Sequence, residues 1–285
     1  MTRLALLNDA VARLEQAGIE DARRNAEWLL EDVLGVSRAM LYAHPEAAVS
    51  EGEQLHLEAL LVRRLRREPL QYVLGYAEFF GLRLRVTPAV LIPRPETEEV
   101  VEAALGHLDG LETPWILDIG TGSGAIALAL KDRHPSAEVF ACDVSADALA
   151  VAAENAERLD LALTLVHTDV LNAAFAHDVT PTFHLVISNP PYVPETERAT
   201  LQPEVRDHEP ETALFVPGED PLRFYQRLAD LAPTLLKPGG FVVVETHADH
   251  GFGVRDLFRD AGFAEATLKA DLSGRPRILT ARYVR

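Results

Sequence analysis

From Trp115 onward, apolar β-type runs alternate with helical patterns, and this alternation restricts the chain to few folds. The predicted strands are Trp115–Ile119, Ala137–Cys142, Ala162–His167, His184–Ser188, Gly240–Glu245, Ala264–Lys269 and Arg277–Arg282. The predicted helices between them are Gly124–Arg133, Ala146–Leu159, Pro221–Leu236 and Gly253–Ala261. This order predicts a doubly wound α/β fold with a mostly parallel, seven-stranded sheet. A short link joins the last two strands, so they should pair antiparallel.

Residues 1–75 are predicted to form a separate small helical domain that binds the substrate. Apolar residues recur there at spacings of three and four, and Asp21 can cap a helix that Gly35 ends. A later helical series carries four arginines, Arg63, Arg64, Arg66 and Arg67. This cluster is either a solvated helix face or a docking patch for a partner, or for RNA bound to a partner.

The period of the pattern changes from helical to β-type between Gln71 and Ile92. Alternating apolar residues flank Gly81, which predicts a β-hairpin over residues 76–92 that links two domains. The second, Rossmann-like domain then extends over residues 93–285.

Charge and composition argue against several classes of partner. The net charge is −17, and residues 76–285 hold 18 basic and 32 acidic residues. A protein that binds duplex DNA normally needs a basic surface, so direct DNA binding by this acidic chain is not expected. The chain has one cysteine, no secretion signal and no apolar stretch near the ~20 residues of a membrane span. We therefore expect a cytoplasmic protein with no membrane association and no metal site.

A glycine-rich turn follows the first predicted strand of the sheet directly. It reads Asp118-Ile119-Gly120-Thr121-Gly122-Ser123-Gly124 and precedes a helix. Glycines let the backbone turn sharply and let a ligand approach it closely. The same residues also satisfy a dinucleotide-binding pattern, so this turn predicts a nucleotide-type ligand without choosing between cofactors.

A site with Asp118 and Asp143 is electrostatically more suitable for S-adenosylmethionine, which carries a sulfonium and an ammonium group, than for a dinucleotide, although a ribose-binding Asp143 suits either cofactor. Asp143 ends the second strand of the sheet, where a carboxylate can accept both ribose hydroxyls, and Asp169 could accept from the adenine amino group. Asp118 can help hold an ammonium group through the loop and water, whereas it would repel a pyrophosphate. A helix cap or a solvated loop acid remains the alternative for Asp169.

The run Asn189-Pro190-Pro191-Tyr192 is the most specific feature of the chain. It follows a buried-type strand, at the edge of the sheet where open parallel sheets bind ligands. Two prolines remove two backbone donors, which leaves the Asn189 side-chain oxygen and the Pro190 carbonyl as acceptors. Two converging acceptors can hold a planar NH₂ group and stabilise the positive charge that grows as a methyl group arrives. Tyr192 can pack against the planar acceptor.

The chain resembles the peptide chain release factor N(5)-glutamine methyltransferases over nearly its whole length. The resemblance rests on Glu68–Gly75, Val90–Glu98, Asp118–Gly124, Asn189–Tyr192, Pro203–Arg206 and Glu209-Pro210. The stretch Ile92–Glu98 is the narrowest signature, since the Asn-Pro-Pro-Tyr turn also occurs in adenine methyltransferases.

The resemblance implies methylation of the glutamine in the Gly-Gly-Gln motif of release factors, with S-adenosylhomocysteine as the other product. It implies that Gly120, Thr121, Gly122, Ser123, Gly124 and Asp143 contact the cofactor, and that Asn189 lies beside both cofactor and substrate. Two departures from the family are Val170, where some relatives place a tryptophan near the adenine, and Phe215–Gly218, where relatives carry a more glycine-rich turn. Arg94 and Glu96 are either a wall of the substrate channel, or an interdomain ion pair and a helix-start acid.

Three other functions remain open from the sequence. Glutamine methylation of a ribosomal protein involves the same chemistry at the acceptor. Adenine-N6 methylation of DNA would need base flipping and a cationic cleft, which the acidic balance opposes. A non-catalytic scaffold would need neither Asn189 nor the glycine loop.

Overall fold

The computed structural model describes residues 1–218 and 220–284, so Glu219 and Arg285 lie outside the described residues. The chain forms two compact units. The first comprises Met1–Tyr76 and Gln202–His208, and the second comprises Ala77–Leu201 and Glu209–Arg285. The first unit therefore includes a short segment from the C-terminal half of the chain, which the prediction of a helical domain at residues 1–75 did not include.

The N-terminal part of the first unit is helical. Its helices are α1 (Arg3–Gln16), α2 (Ala22–Leu34), α3 (Arg38–Ala43), α4 (Glu51–Leu65) and α5 (Leu70–Leu74). At the start of α4 the Ser50 hydroxyl accepts from the Glu53 amide, and the Glu53 carboxylate accepts from the Ser50 amide. Asp21 precedes α2, but its side chain makes no capping hydrogen bond, so the predicted Asp21 cap is wrong. Its backbone is left-handed (φ 50°), and this differs from the extended conformation of a capping residue.

The arginine cluster at the end of α4 is mostly internal to the first unit. Arg64 is 5% exposed and donates to Asn25 Oδ1 at 2.8 Å and to the Glu204 carboxylate at 2.9 Å. Arg67 donates to the other oxygen of Glu204 at 2.8 Å. Arg63 pairs with Glu68, and only Arg66 of the four is exposed. Both predictions for the cluster, a solvated face and a docking patch, are therefore wrong for Arg64.

The remaining elements follow in chain order, and all but α10 belong mainly to the second unit. They are β1 (Tyr76–Phe79), β2 (Leu82–Arg85), α6 (Pro95–Leu105), β3 (Trp115–Ile119), α7 (Ala125–Arg133), β4 (Glu138–Asp143), α8 (Ala146–Leu159), β5 (Thr164–His167), α9 (Phe175–Asp178), β6 (Phe183–Ser188), a 3₁₀ turn (Glu195–Thr200), α10 (Pro203–His208), α11 (Glu211–Leu214), α12 (Arg223–Leu235), β7 (Leu236–Glu245), α13 (Gly251–Asp260), β8 (Ala264–Ala270) and β9 (Pro276–Arg282). The helix α10 is the segment that the first unit acquires.

The large sheet has seven strands in the order β5-β4-β3-β6-β7-β9-β8. The neighbours β5, β4, β3, β6 and β7 pair in parallel, while β9 is antiparallel to both β7 and β8. The predicted doubly wound, mostly parallel fold is confirmed, as is the antiparallel pairing of the last two strands. The order reverses at β3, which places the ends of β3, β4 and β6 at the point where ligands bind in this architecture.

Successive residues of β3 point to opposite faces of the sheet, and each face is covered. Leu117 and Ile119 belong to the core that α12 and α13 complete, through side chains such as Tyr225 and Phe258. Ile116 belongs to the other core, which α6 and α7 cover. Because both faces are buried, β3 is apolar along its length apart from Asp118, and it lies between its paired neighbours β4 and β6.

The β1–β2 hairpin is present where the alternation predicted it. Its Phe79 and Leu84 are buried in the same core as α6 and α7. The hairpin is thus packed into the second unit over most of its length. Among the described residues, no helix combines the length and apolar character needed to cross a membrane.

Candidate active site

The strand register brings three predicted site segments side by side. Ile119 at the end of β3 pairs with Cys142 of β4 and with Ser188 of β6. The next residues, Gly120, Asp143 and Asn189, therefore leave the sheet at the same edge. The Ser188 hydroxyl donates to the Ile119 carbonyl at 2.7 Å, which ties the two strand ends together.

The loop after β3 depends on glycine because of its backbone conformation. Gly120, Gly122 and Gly124 have φ values of 77°, 55° and 82°, in the left-handed region that other residues rarely adopt. A Cβ at Gly120 or Gly122 would meet no atom within 4 Å, so packing is not the constraint there. The Gly120 and Thr121 amides donate to the Cys142 carbonyl at 2.9 and 3.0 Å, which holds the turn against β4.

Asp118 is completely buried and is hydrogen-bonded to a residue of this loop. Its Oδ2 accepts from the Thr121 hydroxyl at 2.6 Å, whereas Oδ1 has no hydrogen-bond partner among the described residues. Burial raises the pKa of Asp118 to about 7, and the hydrogen bond from Thr121 opposes that shift. Asp118 does not line the cavity described below, so the structure does not bring it to a bound ligand directly.

The Asp143 carboxylate is oriented by two backbone amides. Oδ2 accepts from Gly122 at 2.9 Å and Oδ1 accepts from Ser145 at 2.9 Å. Each carboxylate oxygen can accept a second hydrogen bond, so Asp143 retains the capacity to bind a diol. Burial raises the pKa of Asp143, while these two amides oppose the shift.

Asn189 and Tyr192 each donate a hydrogen bond to a side chain of another element. Asn189 Nδ2 donates to Thr97 Oγ1 at 3.3 Å. The Tyr192 hydroxyl donates to Glu245 Oε1 at 3.0 Å, and burial raises the pKa of Tyr192. Its ring packs against the core of the α12 side of the sheet.

A cavity of about 610 Å³ lies at this edge of the second unit. This volume falls within the range of roughly 300–1,000 Å³ that is typical of small-molecule sites. Eleven of the predicted site residues line it: Arg94, Gly120, Thr121, Gly122, Ser123, Asp143, Asp169, Val170, Asn189, Pro190 and Pro191. The lining does not include four others, Asp118, Gly124, Glu96 and Tyr192.

Tyr192 itself is not part of the cavity wall. The Tyr192 hydroxyl donates to Glu245 and its ring packs against the core, so both contacts hold the Asn-Pro-Pro-Tyr turn in place. Gly124 does not line the cavity either. It directly precedes α7 and is packed against other residues, because an added Cβ would meet Leu128 at 3.1 Å and Ala152 at 3.3 Å. Glu96 occupies the first turn of α6 and lies outside the cavity, as the helix-start alternative predicted.

Both arginines that line the cavity are already paired. Arg94 donates to Glu209, whose carboxylate is 1% exposed, and both residues belong to the second unit. The interdomain ion pair considered for Arg94 is therefore wrong. Arg198 pairs with Glu195 and with Glu211, and its guanidinium lies 4.1 Å from the centre of the Phe215 ring.

The two departures from the family pattern both lie in the cavity wall. Val170 lines it, and its carbonyl accepts from Arg227 Nε at 2.8 Å. The whole of Phe215–Gly218 lines it as well. This segment is held by Val193, which exchanges backbone hydrogen bonds with Leu214 and Val216.

Sequence reasoning missed Thr97, Glu245 and Glu209. Thr97 and Glu209 lie within the stretches that carry the family resemblance, but neither residue type by itself indicates a role. Glu245 ends a strand next to β6, and its position at a strand end was the only available signal. All three are buried polar residues, and buried polar residues need partners.

Two family models match the chain. Residues 5–75 match the PrmC N-terminal domain, and residues 101–204 match the methyltransferase small domain. A solved methyltransferase from Pyrococcus furiosus has a TM-score of 0.52 at 18% identity, and the match covers 79% of this chain and 98% of that one. This similarity supports the fold alone.

Curated relatives match over nearly the full length. A release factor glutamine methyltransferase from Chlorobaculum tepidum is 43% identical over 273 residues, which cover 93% of this chain and 92% of the relative. A protein of the same name from Streptomyces coelicolor is 43% identical over 285 residues, with 98% and 97% of the two chains covered. The chain belongs to the family of release factor glutamine methyltransferases.

Proposed function

We propose that this protein transfers a methyl group from S-adenosylmethionine to the side-chain amide nitrogen of the glutamine in the Gly-Gly-Gln motif of peptide chain release factors. The observation that carries the proposal is the shared sheet edge. Asn189, Asp143 and the Gly120–Ser123 loop line one cavity, at the ends of the adjacent strands β6, β4 and β3.

The residues present suit a cationic nucleoside ligand. Asp143 and Asp169 line the cavity, whereas Arg94 and Arg198 are both neutralised by glutamates. A dinucleotide pyrophosphate needs unpaired donors or cations, while a sulfonium and an ammonium group favour the acidic lining. We propose that Gly120, Thr121, Gly122, Ser123, Asp143, Asp169 and Val170 hold S-adenosylmethionine.

When bound, that cofactor supplies an electrophilic methyl group. The protein's task is then to orient and activate a poor nucleophile. The Asn189 side-chain oxygen and the Pro190 carbonyl can accept from the two N–H groups of the glutamine amide. Acceptors placed there stabilise the positive charge that develops on nitrogen, and positioning in line with the methyl group contributes further.

The reaction balances without a side chain that acts as a general base. A bond forms between the amide nitrogen and the methyl carbon, and the carbon–sulfur bond breaks with its electron pair going to sulfur. The nitrogen then loses one of its protons, which is strongly acidic at that stage and passes to water. The proposed products are the N-methylated glutamine, S-adenosylhomocysteine and a proton.

The test uses the full chain with labelled S-adenosylmethionine and a purified release factor. We expect label on the Gly-Gly-Gln glutamine, located by mass spectrometry, and none on a release factor in which that glutamine is replaced by alanine. A ribosomal protein and duplex DNA are assayed in parallel. Absence of label on the release factor while calorimetry shows cofactor binding, or label only on one of the parallel substrates, would overturn the proposal.

A further inference from the structure

We propose that Thr97 and Glu245 are positioning residues that determine which end of the Asn189 side-chain amide faces the acceptor nitrogen. The inference rests on the proposed function, because it concerns the same acceptor site. A carboxamide has one accepting and one donating end, and only the oxygen end can bind an N–H group. The reaction therefore needs Asn189 in one of two orientations that have nearly the same shape.

The sheet places Asn189 and Glu245 next to each other. Ser188 at the end of β6 pairs with Val244 of β7, so Asn189 and Glu245 both follow at the same edge. Glu245 is 1% exposed. Thr97, in the first turn of α6, is 4% exposed and lies between their side chains in the hydrogen-bond chain.

The direction of the hydrogen bonds follows from the single proton that the Thr97 hydroxyl can donate. Thr97 Oγ1 donates its single proton to Glu245 Oε2 at 2.6 Å. The same oxygen can then only accept, and Asn189 Nδ2 donates to it at 3.3 Å. The amide nitrogen of Asn189 is thereby directed toward Thr97, so Oδ1 is left for the acceptor.

Glu245 holds the second half of the turn in the same way. Its Oε1 accepts from the Tyr192 hydroxyl at 3.0 Å, and Arg277 Nη1 lies 4.0 Å from the same oxygen. Oε1 thus accepts from Tyr192, which follows the two prolines, and Oε2 is linked through the Thr97 hydroxyl to Asn189, which precedes them. One buried carboxylate therefore controls both ends of the Asn-Pro-Pro-Tyr turn.

Four variants separate positioning from simple stabilisation. Thr97→Val keeps the shape but removes the hydroxyl, and Thr97→Ser restores it. Glu245→Gln keeps an acceptor for Tyr192 but can present NH₂ to Thr97, which frees the hydroxyl to donate toward Asn189. Thr246→Val is the matched control, because Thr246 is 0% exposed, adjoins Glu245, and its hydroxyl has no partner among the described residues.

We expect Thr97→Val and Glu245→Gln to lower kcat by about 10-fold or more, since small misplacement of a reacting group is costly. The dissociation constant of S-adenosylmethionine, measured by calorimetry, should change by less than about 2-fold, because neither side chain is expected to bind the cofactor. Thr97→Ser should recover most of the wild-type kcat, and Thr246→Val should leave it unchanged. A folded Thr97→Val variant with wild-type kcat would overturn the inference.

A second measurement does not depend on catalysis. The side-chain NH₂ signals of Asn189 can be assigned in the ¹⁵N spectrum by their loss in Asn189→Ala. We expect these signals to shift in Thr97→Val and Glu245→Gln and to stay in place in Thr246→Val. Unchanged signals in Thr97→Val would contradict the hydrogen bond itself. Wild-type protein that does not methylate a release factor would overturn the proposed function, while this spectrum would still decide the orientation of Asn189.

Discussion

Arg94 and Glu209 form an ion pair although 115 positions separate them in the chain. Glu209 Oε2 also accepts from the Ile92 amide at 3.1 Å. One buried carboxylate thus ties the segment before α6 to the segment after α10. Because Arg94 lines the cavity, this pair also shapes the wall of the proposed substrate site.

Replacing Glu209 should destabilise the second unit. Glu209→Ala leaves a partly buried guanidinium and a buried amide without their acceptor, which we expect to cost about 2–4 kcal/mol. Chemical denaturation measures the loss. Glu195→Ala is the control, because that carboxylate is 59% exposed and a solvent-exposed ion pair such as the one with Arg198 should contribute much less to stability. Equal losses in the two variants would contradict this explanation.

Asn189 should be needed for turnover and dispensable for folding. Asn189→Ala removes one acceptor for the developing charge, so we expect kcat to fall by about 10²-fold or more. Circular dichroism and thermal unfolding check that the fold is retained. Full activity in this variant would show that another group activates the nitrogen.

Asp143 should act mainly through cofactor affinity. Asp143→Ala removes both the proposed ribose acceptor and the group that orients the Gly122 and Ser145 amides. We expect binding of S-adenosylmethionine to weaken by about 10-fold or more, which corresponds to 1.4 kcal/mol or above. Isothermal calorimetry measures the change, and Glu138→Ala, an exposed substitution on the same strand, should leave binding unaffected.

Asp118 should make the ligand-free protein less stable as the pH rises. Its folded-state pKa of about 7 lies above the usual value of about 3.9, so between these limits the folded state binds more protons than the unfolded state. Its contribution to stability is therefore fully present below pH 4 and is lost as the pH rises toward 7. The free energy of unfolding of Asp118→Asn, relative to that of the wild type, should accordingly be higher at pH 8 than at pH 5. Denaturation curves at both pH values test this, and a difference that does not vary with pH would rule it out.

The arginine cluster should matter for the first unit's stability. Arg64→Ala removes a buried partner of Glu204 and Asn25, which we expect to cost about 3 kcal/mol. Arg66→Ala changes an exposed side chain on the same turn and should stay within about 0.5 kcal/mol. Chemical denaturation of both variants measures the two losses of stability. A larger loss for Arg66→Ala than for Arg64→Ala would contradict the assignment of Arg64 as the buried, stabilising arginine.

The sequence was sufficient wherever one local pattern determines the structure. Residue types that suit parallel strands predicted the sheet, and the glycine turn and Asn189 fall after β3 and β6 as expected. Parallel strands end at one edge, so the order of the motifs along the chain already implied that they would meet. The short helices α9, α10 and α11 were missed, because four to six residues are too few to show a helical period.

Tertiary structure alone decided which polar groups are paired and which face the cavity. Asp118 lies beneath its loop, Tyr192 turns toward Glu245, and Arg64 is buried against Glu204. Each of these outcomes depends on which partner comes within hydrogen-bond distance after packing. Residue type sets what a side chain can bind, but the partners of a buried polar group are distant in sequence and are brought together only by the folded core.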